Sequence, residues 1–234
     1  IIVKKNLSLM TNFDNKKTLR ELMQELLLTG DYFVKREIQK QETSYWGDEA
    51  IVNDPDGNIR NLLSKDEIDK RVQNYEYIIK FVRDLSPESV LDLGCGLGDM
   101  LLNLDGVKFR TGVDSDIKLA QKRSNKISWI ESDVEFFEKV SNYEVIICHH
   151  VIEHLDDPVN FIKRIYLAMK KDSVLIVGTP DFDCGAARLF DKKFRMLDDP
   201  THQSLFSVDS LTRLLRDTGF ILIDSDYPFF ETNY

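Results

Sequence analysis

The stretch Val90-Leu-Asp-Leu-Gly-Cys-Gly-Leu-Gly98 carries the strongest structural signal in this chain of 234 residues. A run of β-forming residues leads into three glycines at alternate positions, Gly94, Gly96 and Gly98. Glycine has no Cβ, so such a turn lets the backbone come close to a ligand. The stretch predicts a strand that ends in a ligand-binding turn and continues into a helix.

Strands and helices alternate along the rest of the chain after Pro87. We predict strands at Val90–Leu93, Arg110–Asp114, Ser128–Glu131, Val145–Cys148, Val174–Val177 and Ile221–Tyr227. Helices are predicted at about residues 98–104, 116–125, 134–140, 158–170 and 208–217, the last between Ser207 and Gly219 as caps. The alternation predicts an α/β fold with a doubly wound, Rossmann-like, mostly parallel sheet.

The first 70 residues differ from the rest and predict a helical extension or cap, with a Rossmann-like domain over residues 71–234. Thr18-x-x-Glu21 is a capping box that opens an amphipathic helix, and Gly30 is a plausible stop. A second box, Ser64-x-x-Glu67, predicts one long helix that reaches Val82. Between these helices, Asp54–Gly57 predicts a turn.

Acidic residues follow two further predicted strands. Asp114 ends the second strand and suits an acceptor for ribose hydroxyls. Asp133 follows the third strand and is placed to accept from the exocyclic amine of an adenine, with Val134 against the ring. Glycines that serve only a tight turn would not come with this ordered set, so we interpret the region as a nucleotide site.

The type of nucleotide follows from one departure from the dinucleotide fingerprint. That fingerprint, G-x-G-x-x-G, needs glycine at position 99, where this chain has Asp99. The motif instead resembles motif I of class I S-adenosylmethionine-dependent methyltransferases. Three further segments resemble later motifs of that family: Gly112–Asp116, Glu131–Asp133 and His149–Leu155. The resemblance covers roughly residues 75–226.

This resemblance implies S-adenosylmethionine as cofactor and S-adenosylhomocysteine as product. It implies that the loop Gly94–Gly98 holds the methionine part, that Asp114 binds the ribose, and that Asp92 fixes the loop from beneath. His149, after the fourth strand, would line the methyl-transfer site. The full set of expected cofactor-binding residues is Asp92, Gly94, Cys95, Gly96, Gly98, Asp114, Ser115, Asp133, Val134 and His149.

Histidines are the candidate catalytic residues, because histidine can take a proton from an acceptor hydroxyl near neutral pH. We favour His154 and His202, and include His150, for which a structural role is the stronger expectation. His150-x-x-Glu153-His154 also matches the H-x-x-E-H pattern of zinc peptidases. That pattern needs a helix, and Asp156-Asp157-Pro158 follows at once, so we expect no metal site.

The composition of the chain limits the partners that we expect and indicates a cellular compartment. A formal net charge of −9 argues against nucleic acid as a partner, since nucleic-acid binders need a basic face. Three widely spaced cysteines do not form a disulfide framework, and the sequence contains no run of apolar residues long enough to span a bilayer. These features predict a cytoplasmic protein without a membrane span.

The acceptor is less well defined by the sequence. The long segment Asp181–Phe206 carries aromatic and basic residues, and long loops are often functional. The stretch from Gly178 to Ser207 resembles bacterial methyltransferases of sugars, glycans and quinones. We therefore predict O-methylation of a small molecule or glycan precursor. The alternatives are a nicotinamide-dependent oxidoreductase and a non-catalytic S-adenosylmethionine-binding protein.

The end of the chain departs from the family pattern. The family's sheet usually closes with a seventh strand, antiparallel to the sixth. After Tyr227 only Pro228–Tyr234 remain, so we expect that strand to be missing from this chain.

Overall fold

The computed structural model describes residues 10–37, 50–53 and 59–226. The strands are β1 (Met10–Asn12), β2 (Phe33–Lys35), β3 (Ile51–Asn53), β4 (Ile59–Asn61), β5 (Ser89–Leu93), β6 (Phe109–Asp114), β7 (Ser128–Glu131), β8 (Val145–His149), β9 (Val174–Gly178) and β10 (Ser204–Leu205). The helices are α1 (Leu19–Thr29), α2 (Lys65–Asn74), α3 (Glu76–Leu85), α4 (Asp99–Leu102), α5 (Lys118–Arg123), α6 (Pro158–Ala168), α7 (Gly185–Phe190) and α8 (Val208–Thr218).

The described residues divide into two compact units. The sheet unit comprises residues 50–53, 59–149, 168–177 and 224–226, and the histidine unit comprises residues 10–37, 150–167 and 178–223. The domain boundary that we place after residue 70 stays a prediction.

A five-stranded sheet in the order β7-β6-β5-β8-β9 forms the centre of the sheet unit. Strand β5 pairs in parallel with both β6 and β8, and β6 pairs in parallel with β7. Every residue of β5 is buried, as expected for a central parallel strand covered on both faces. The strand order reverses between β5 and β8, which is where ligands bind in folds of this type. The α/β, Rossmann-like fold class predicted from the sequence is confirmed.

Apolar helices cover this sheet. Helix α3 packs Ile78, Ile79 and Val82 against a hydrophobic core that includes Val90 and Val145. The long helix predicted from Ser64 is divided, because Tyr75 leaves helical geometry between α2 and α3. The Ser64 side chain does cap α2.

The second half of the predicted capping box at α2 is absent. The Glu67 carboxylate accepts hydrogen bonds from Arg60 and Lys70 instead of from the backbone of Ser64. Two basic side chains therefore donate to Glu67 in place of the backbone amide that donates in a closed capping box.

Two predicted elements differ from the structure. The helix predicted at residues 134–140 is two 3₁₀ turns, Val134–Phe136 and Lys139–Asn142. The strand predicted at Ile221–Tyr227 is wrong over residues 221–226, which have no regular structure, and Tyr227 lies outside the described residues. Ile221 is 89% exposed. A strand needs a neighbour to accept its hydrogen bonds, and none of the described strands pairs with this segment.

The histidine unit begins with α1, whose boundaries follow the prediction. Thr18 and Glu21 form a closed capping box, and Gly30 ends the helix with a left-handed φ of 76°. The buried face of α1 shares a core with residues from the segment Asp181–Phe206, among them Phe182 and Leu205.

That segment is not the structureless loop that its length suggests. It contains α7, two 3₁₀ turns and β10, which pairs antiparallel with β2. Helix α8 begins at Ser207 and ends at Gly219, as predicted. The predicted turn Asp54–Gly57 lies outside the described residues. No helix in the described part of the chain combines the length and hydropathy needed to cross a bilayer.

Candidate functional site

The glycine loop, residues Gly94–Gly98, leads from β5 into α4. All three of its glycines have left-handed backbone angles, with φ of 77° at Gly94, 50° at Gly96 and 76° at Gly98. A residue with a Cβ is strained in this region. The amide of Gly94 donates to the carbonyl of Val113 at 2.8 Å, which fixes the start of the loop to β6.

Asp114 holds the middle of the glycine loop. Its Oδ2 accepts from the amide of Gly96 at 2.8 Å, and its Oδ1 accepts from the amide of Asp116 at 3.2 Å. The Ser115 hydroxyl donates to Oδ1 at 3.4 Å. A carboxylate has about four acceptor positions, so Asp114 retains capacity for a ligand hydroxyl.

Asp92 lies within β5 and is 4% exposed. Burial, together with the nearby negative charge of Asp114, raises the pKa of Asp92 to about 7. The expected role of Asp92, to hold the loop from beneath, has no hydrogen bond to support it among the described residues, and Asp114 performs that task. A buried carboxylate in this state gains from a cationic ligand beside it.

A tryptophan that sequence reasoning missed explains two of the glycines near the loop. A Cβ placed on Gly98 would collide with the indole of Trp129 on β7. A Cβ on Gly112 would come within 2.7 Å of the same ring and 2.8 Å of the Cys95 Sγ. Gly98 therefore serves the packing of Trp129. The only sequence signal was an aromatic residue in a predicted strand that lies two strands away from the motif.

The other expected cofactor residues occupy varied environments. The thiol of Cys95 is in the hydrophobic core, and burial raises its pKa, so only the backbone of Cys95 is available to a ligand. Asp133 is exposed and caps a 3₁₀ turn by accepting from the amide of Glu135 at 2.8 Å. Val134 is partly buried in that turn. The ring of His149 makes an edge contact with Tyr75 at 5.5 Å between centroids.

Asp99, which breaks the dinucleotide fingerprint, is a structural residue. Its Oδ2 lies 2.5 Å from Nε of Arg71, and its Oδ1 lies 2.6 Å from Nη1 of Arg123. Asp99 is 4% exposed. Glycine at this position would leave two arginines without their shared anion.

The three candidate catalytic histidines lie in the histidine unit and surround Glu153. We call His150, Glu153, His154 and His202 the histidine cluster. His150 has a left-handed φ of 54°, and its amide donates to the carbonyl of Gly178 at 2.8 Å. The residues Ile152–His154 form a 3₁₀ turn, so the H-x-x-E-H pattern does not lie on an α-helix.

Glu153 is the buried centre of the histidine cluster, with an exposed fraction of 0%. Its Oε1 lies 3.0 Å from Nδ1 of His150, and its Oε2 accepts from the Thr179 hydroxyl at 3.0 Å. Burial alone would raise the pKa of Glu153, but the hydrogen bond from His150 and the fields of His150 and His154 outweigh it and lower that pKa. The carboxylate is therefore ionised at neutral pH.

His154 and His202 lie side by side, with ring centroids 4.8 Å apart. Nδ1 of His154 is 2.8 Å from the Thr201 hydroxyl oxygen, and Nδ1 of His202 is 2.7 Å from the carbonyl oxygen of Met196. Burial lowers the pKa of His154. The sequence suggested the histidines but not the partners that orient them, since Thr179, Met196 and Thr201 belong to no motif.

The sequence relatives of this chain include ubiquinone biosynthesis O-methyltransferases. A ubiquinone biosynthesis O-methyltransferase of Rickettsia bellii is 28% identical over 115 residues, 44% of this chain and 48% of that protein. The corresponding protein of Rickettsia akari is 34% identical over 117 residues, 44% of this chain and 47% of that protein. The chain thus spans about half the length of the curated relatives that it matches.

Solved structures support the fold alone. The plantazolicin methyltransferase BpumL, in complex with a monoazolic desmethylPZN analog and SAH, has a TM-score of 0.51 and 19% identity, covering 64% of this chain and 63% of its own. The YcgJ protein of Bacillus subtilis has a TM-score of 0.52 and 19% identity, covering 62% of this chain and 67% of its own.

The family match covers most of the chain and includes both the glycine loop and the histidine cluster. Residues 65–225 match the family described as a methyltransferase domain. The match confirms the class I S-adenosylmethionine-dependent methyltransferase type recognised from motif I. This chain therefore belongs to the methyltransferase domain family.

Proposed function

We propose that the chain binds S-adenosylmethionine at the glycine loop and transfers its methyl group to a hydroxyl oxygen of a small molecule. The observation that carries the proposal is the geometry at the ends of β5 and β6. Three left-handed glycines leave the loop backbone without a Cβ at alternate positions, and Asp114 holds that loop while keeping acceptor capacity.

The charge of the site supports this cofactor. S-adenosylmethionine supplies an electrophilic methyl group on a sulfonium centre, and it also carries an ammonium group. The buried carboxylate of Asp92, which is costly to ionise alone, would be stabilised by a cation bound beside it. The expected set from Asp92 to His149 stays a proposal for the cofactor contacts, with Asp114 and Ser115 at the ribose and Asp133 with Val134 at the adenine.

The residues of this chain have two tasks in such a reaction. The glycine loop and Asp114 must hold the cofactor in a fixed position, because orientation of reacting atoms lowers a barrier by as much as about 7–11 kcal/mol. The acceptor hydroxyl must also lose its proton. We propose that the histidine cluster activates that hydroxyl. His154 and His202 are the preferred candidates for accepting its proton.

Two observations favour this function over a nicotinamide-dependent oxidoreductase. The family match is to a methyltransferase domain. The third glycine of the dinucleotide fingerprint is replaced by Asp99, whose carboxylate is engaged by Arg71 and Arg123.

Oxygen as the methylated atom is favoured by the names of the sequence relatives, which are O-methyltransferases of ubiquinone biosynthesis. A phenolic hydroxyl on an aromatic ring is therefore the first acceptor to try, and a glycan precursor is the second.

The experiment is a methyl-transfer assay with S-adenosylmethionine labelled in the methyl group. Panels of phenols, sugar nucleotides, amines and thiols are offered, and the products are identified by mass spectrometry. We expect label on oxygen, with S-adenosylhomocysteine formed in equal amount. Label on nitrogen or sulfur alone would refute O-methylation. Cofactor binding without turnover, together with indifference to His154→Ala and His202→Ala in the assay, would favour the non-catalytic alternative.

A further inference from the structure

Three ligand-type side chains converge in the histidine unit. One carboxylate oxygen of Glu153 and one ring nitrogen each of His154 and His202 all lie within 4.8 Å of one another. Glu153 is fully buried and His202 is 5% exposed. Because two of its three members are buried, this set differs from a cluster of exposed acidic groups on the surface.

The tautomer of His202 is fixed by the backbone. A carbonyl oxygen only accepts hydrogen bonds, so Nδ1 of His202, 2.7 Å from the carbonyl oxygen of Met196, must carry the proton. Its Nε2 then has a free lone pair when the ring is neutral. Asp199 Oδ2 is 3.7 Å from this Nε2, too far for a hydrogen bond.

The tautomer of His154 is fixed by a relay of two hydrogen bonds. The Thr201 hydroxyl donates its only proton to Oδ1 of Asp199 at 2.5 Å. The Thr201 oxygen must then accept from Nδ1 of His154, at 2.8 Å. Nε2 of His154 is therefore also left with its lone pair, 4.0 Å from Oε1 of Glu153.

This arrangement is the one that metal ligands adopt. A ligating histidine characteristically donates its other ring N–H to a carbonyl or to another acceptor, and a ligating carboxylate is itself hydrogen-bonded. His202, His154 and Glu153 meet these conditions through Met196, Thr201 and Thr179 respectively.

The electrostatics agree with the geometry. Glu153 and His202 are buried and His154 is partly buried, and a carboxylate and a neutral imidazole each offer a lone pair to a cation. Lone pairs of three groups thus face one another, and a cation placed among them would interact favourably with all three.

We propose that Glu153, His154 and His202 bind a divalent transition-metal ion, with open coordination positions for an oxygen ligand. Two imidazoles and one carboxylate suit Zn²⁺, Co²⁺ or Mn²⁺ better than Mg²⁺ or Ca²⁺, which prefer oxygen donors alone. Asp199 stands beside the site as a further anion. The zinc-peptidase pattern would instead use both His150 and His154 as ligands, and Glu153 as the base.

A bound ion would also explain how the histidine cluster activates a hydroxyl, and this part rests on the proposed function. An alcohol or phenol oxygen on a divalent ion would release its proton to the solvent more readily, as bound water does. His154 and His202 would then act as ligands rather than as proton acceptors.

The test measures metal binding directly, without cofactor or acceptor. The full chain is freed of metal with a chelator and titrated by calorimetry with ZnCl₂ and, separately, with MgCl₂. We expect about one equivalent of Zn²⁺ to bind at least about tenfold more tightly than Mg²⁺. Zn²⁺ should raise the thermal unfolding midpoint, because it binds the folded chain. Failure of methyl transfer would leave this outcome unchanged, so the two proposals fail separately.

Matched variants assign the site. His154→Gln and His202→Gln should each weaken Zn²⁺ binding by about tenfold or more, with folding checked by circular dichroism. Cys184→Ser should bind as the wild type does, since serine can also cap α7, and this control excludes zinc held by a thiol. Asp198→Asn, beside Asp199 but exposed, is the carboxylate control.

The proposal is overturned if the wild-type chain binds no Zn²⁺, or binds Mg²⁺ equally well. It is also overturned if both glutamine variants bind Zn²⁺ like the wild type, or if Cys184→Ser abolishes binding. Should a glutamine variant fail to fold, the Zn²⁺-induced rise of the midpoint in the wild type, and its retention in Cys184→Ser, still decide the question.

Discussion

The carboxylate of Asp114 connects the backbone of the glycine loop to the ligand that the loop is proposed to hold. It accepts from the amide of Gly96, and it retains capacity to accept from a ribose hydroxyl. The prediction of this residue from the sequence rested on its place at the end of β6. Its bond to the loop was not foreseeable, because it depends on the register between β5 and β6.

Asp114→Ala should weaken the binding of S-adenosylmethionine by about tenfold or more. The loss combines a charge-assisted hydrogen bond to the ribose, worth about 1.5–3 kcal/mol, with a loop amide left without its partner. Calorimetric titration of the variant measures the change. Asp105→Ala removes an exposed acid from the same unit and should bind normally. Unchanged affinity in Asp114→Ala would contradict the placement of the ribose.

Asp92 makes the stability of the cofactor-free chain depend on pH. Its pKa is about 7 when folded and about 3.9 when unfolded. Below about pH 4 the group is protonated in both states. As the pH rises from there to about 7, the unfolded chain releases a proton that the folded chain keeps, so the free energy of unfolding falls. Above pH 7 the fall is complete.

Asp92→Asn, neutral at every pH, should abolish this fall. We expect the variant and the wild type to have similar free energies of unfolding at pH 4. At pH 8 the variant should be more stable, by on the order of 4 kcal/mol. Urea unfolding of both cofactor-free chains at a series of pH values gives the difference directly. A difference that does not change with pH would show that Asp92 is ionised normally in the folded chain.

At the scale of elements, Asp99 connects three helices of the sheet unit. It lies at the start of α4 and pairs with Arg71 of α2 and Arg123 of α5. Both arginines also donate to backbone carbonyls, Arg71 to Leu62 and Arg123 to Leu97 in the glycine loop. The sequence showed only that position 99 is not glycine.

Asp99→Asn should lower the free energy of unfolding by about 3 kcal/mol, because it leaves two largely buried guanidinium groups without their anion. The matched control is Asp105→Asn, since Asp105 is exposed and lies 3.9 Å from Arg83, and its loss should cost less than about 1 kcal/mol. Urea unfolding at neutral pH compares the three chains. Equal stability of the two variants would mean that Asp99 contributes nothing beyond a surface charge.

Elements with a buried hydrophobic run were predictable from the sequence, and elements without one were not. Strands β5 and β8 are rich in buried apolar residues, and the sequence located both to within a residue of their bounds. Residues 134–140 bury only Phe137 and Val140, and this three-residue spacing across two 3₁₀ turns resembles the spacing of a helix. Ile221–Ile223 has the composition of a strand, but composition does not reveal whether a neighbouring strand is present.

At the scale of the whole molecule, the chain passes repeatedly between the two units, so neither is a continuous piece of sequence. Residues before position 70 contribute to both. Leu22 and Leu26 of α1 lie in the core of the histidine unit. Ala50 and Leu62 lie in a cluster of the sheet unit with Leu97 and Leu119. The helical pattern of the first 70 residues predicts a separate cap, but a sequence pattern does not report where side chains are buried.

Deletion of residues 1–70 therefore provides a test of the proposed boundary. If the extension is a separable cap, the chain 71–234 should fold and bind S-adenosylmethionine. We expect the opposite, because the deletion removes the apolar face of α1 and exposes Leu97 inside the glycine loop. Each buried leucine lost to a core costs about 2–5 kcal/mol, and a domain has only about 5–15 kcal/mol in total. The shortened chain should show no cooperative urea transition and no calorimetric signal with cofactor. Leu22→Ala in the full chain, compared with the 88% exposed Leu28→Ala, measures how much of that loss comes from α1 alone. A cooperative transition of 71–234 with intact cofactor binding would establish the cap as an independent part.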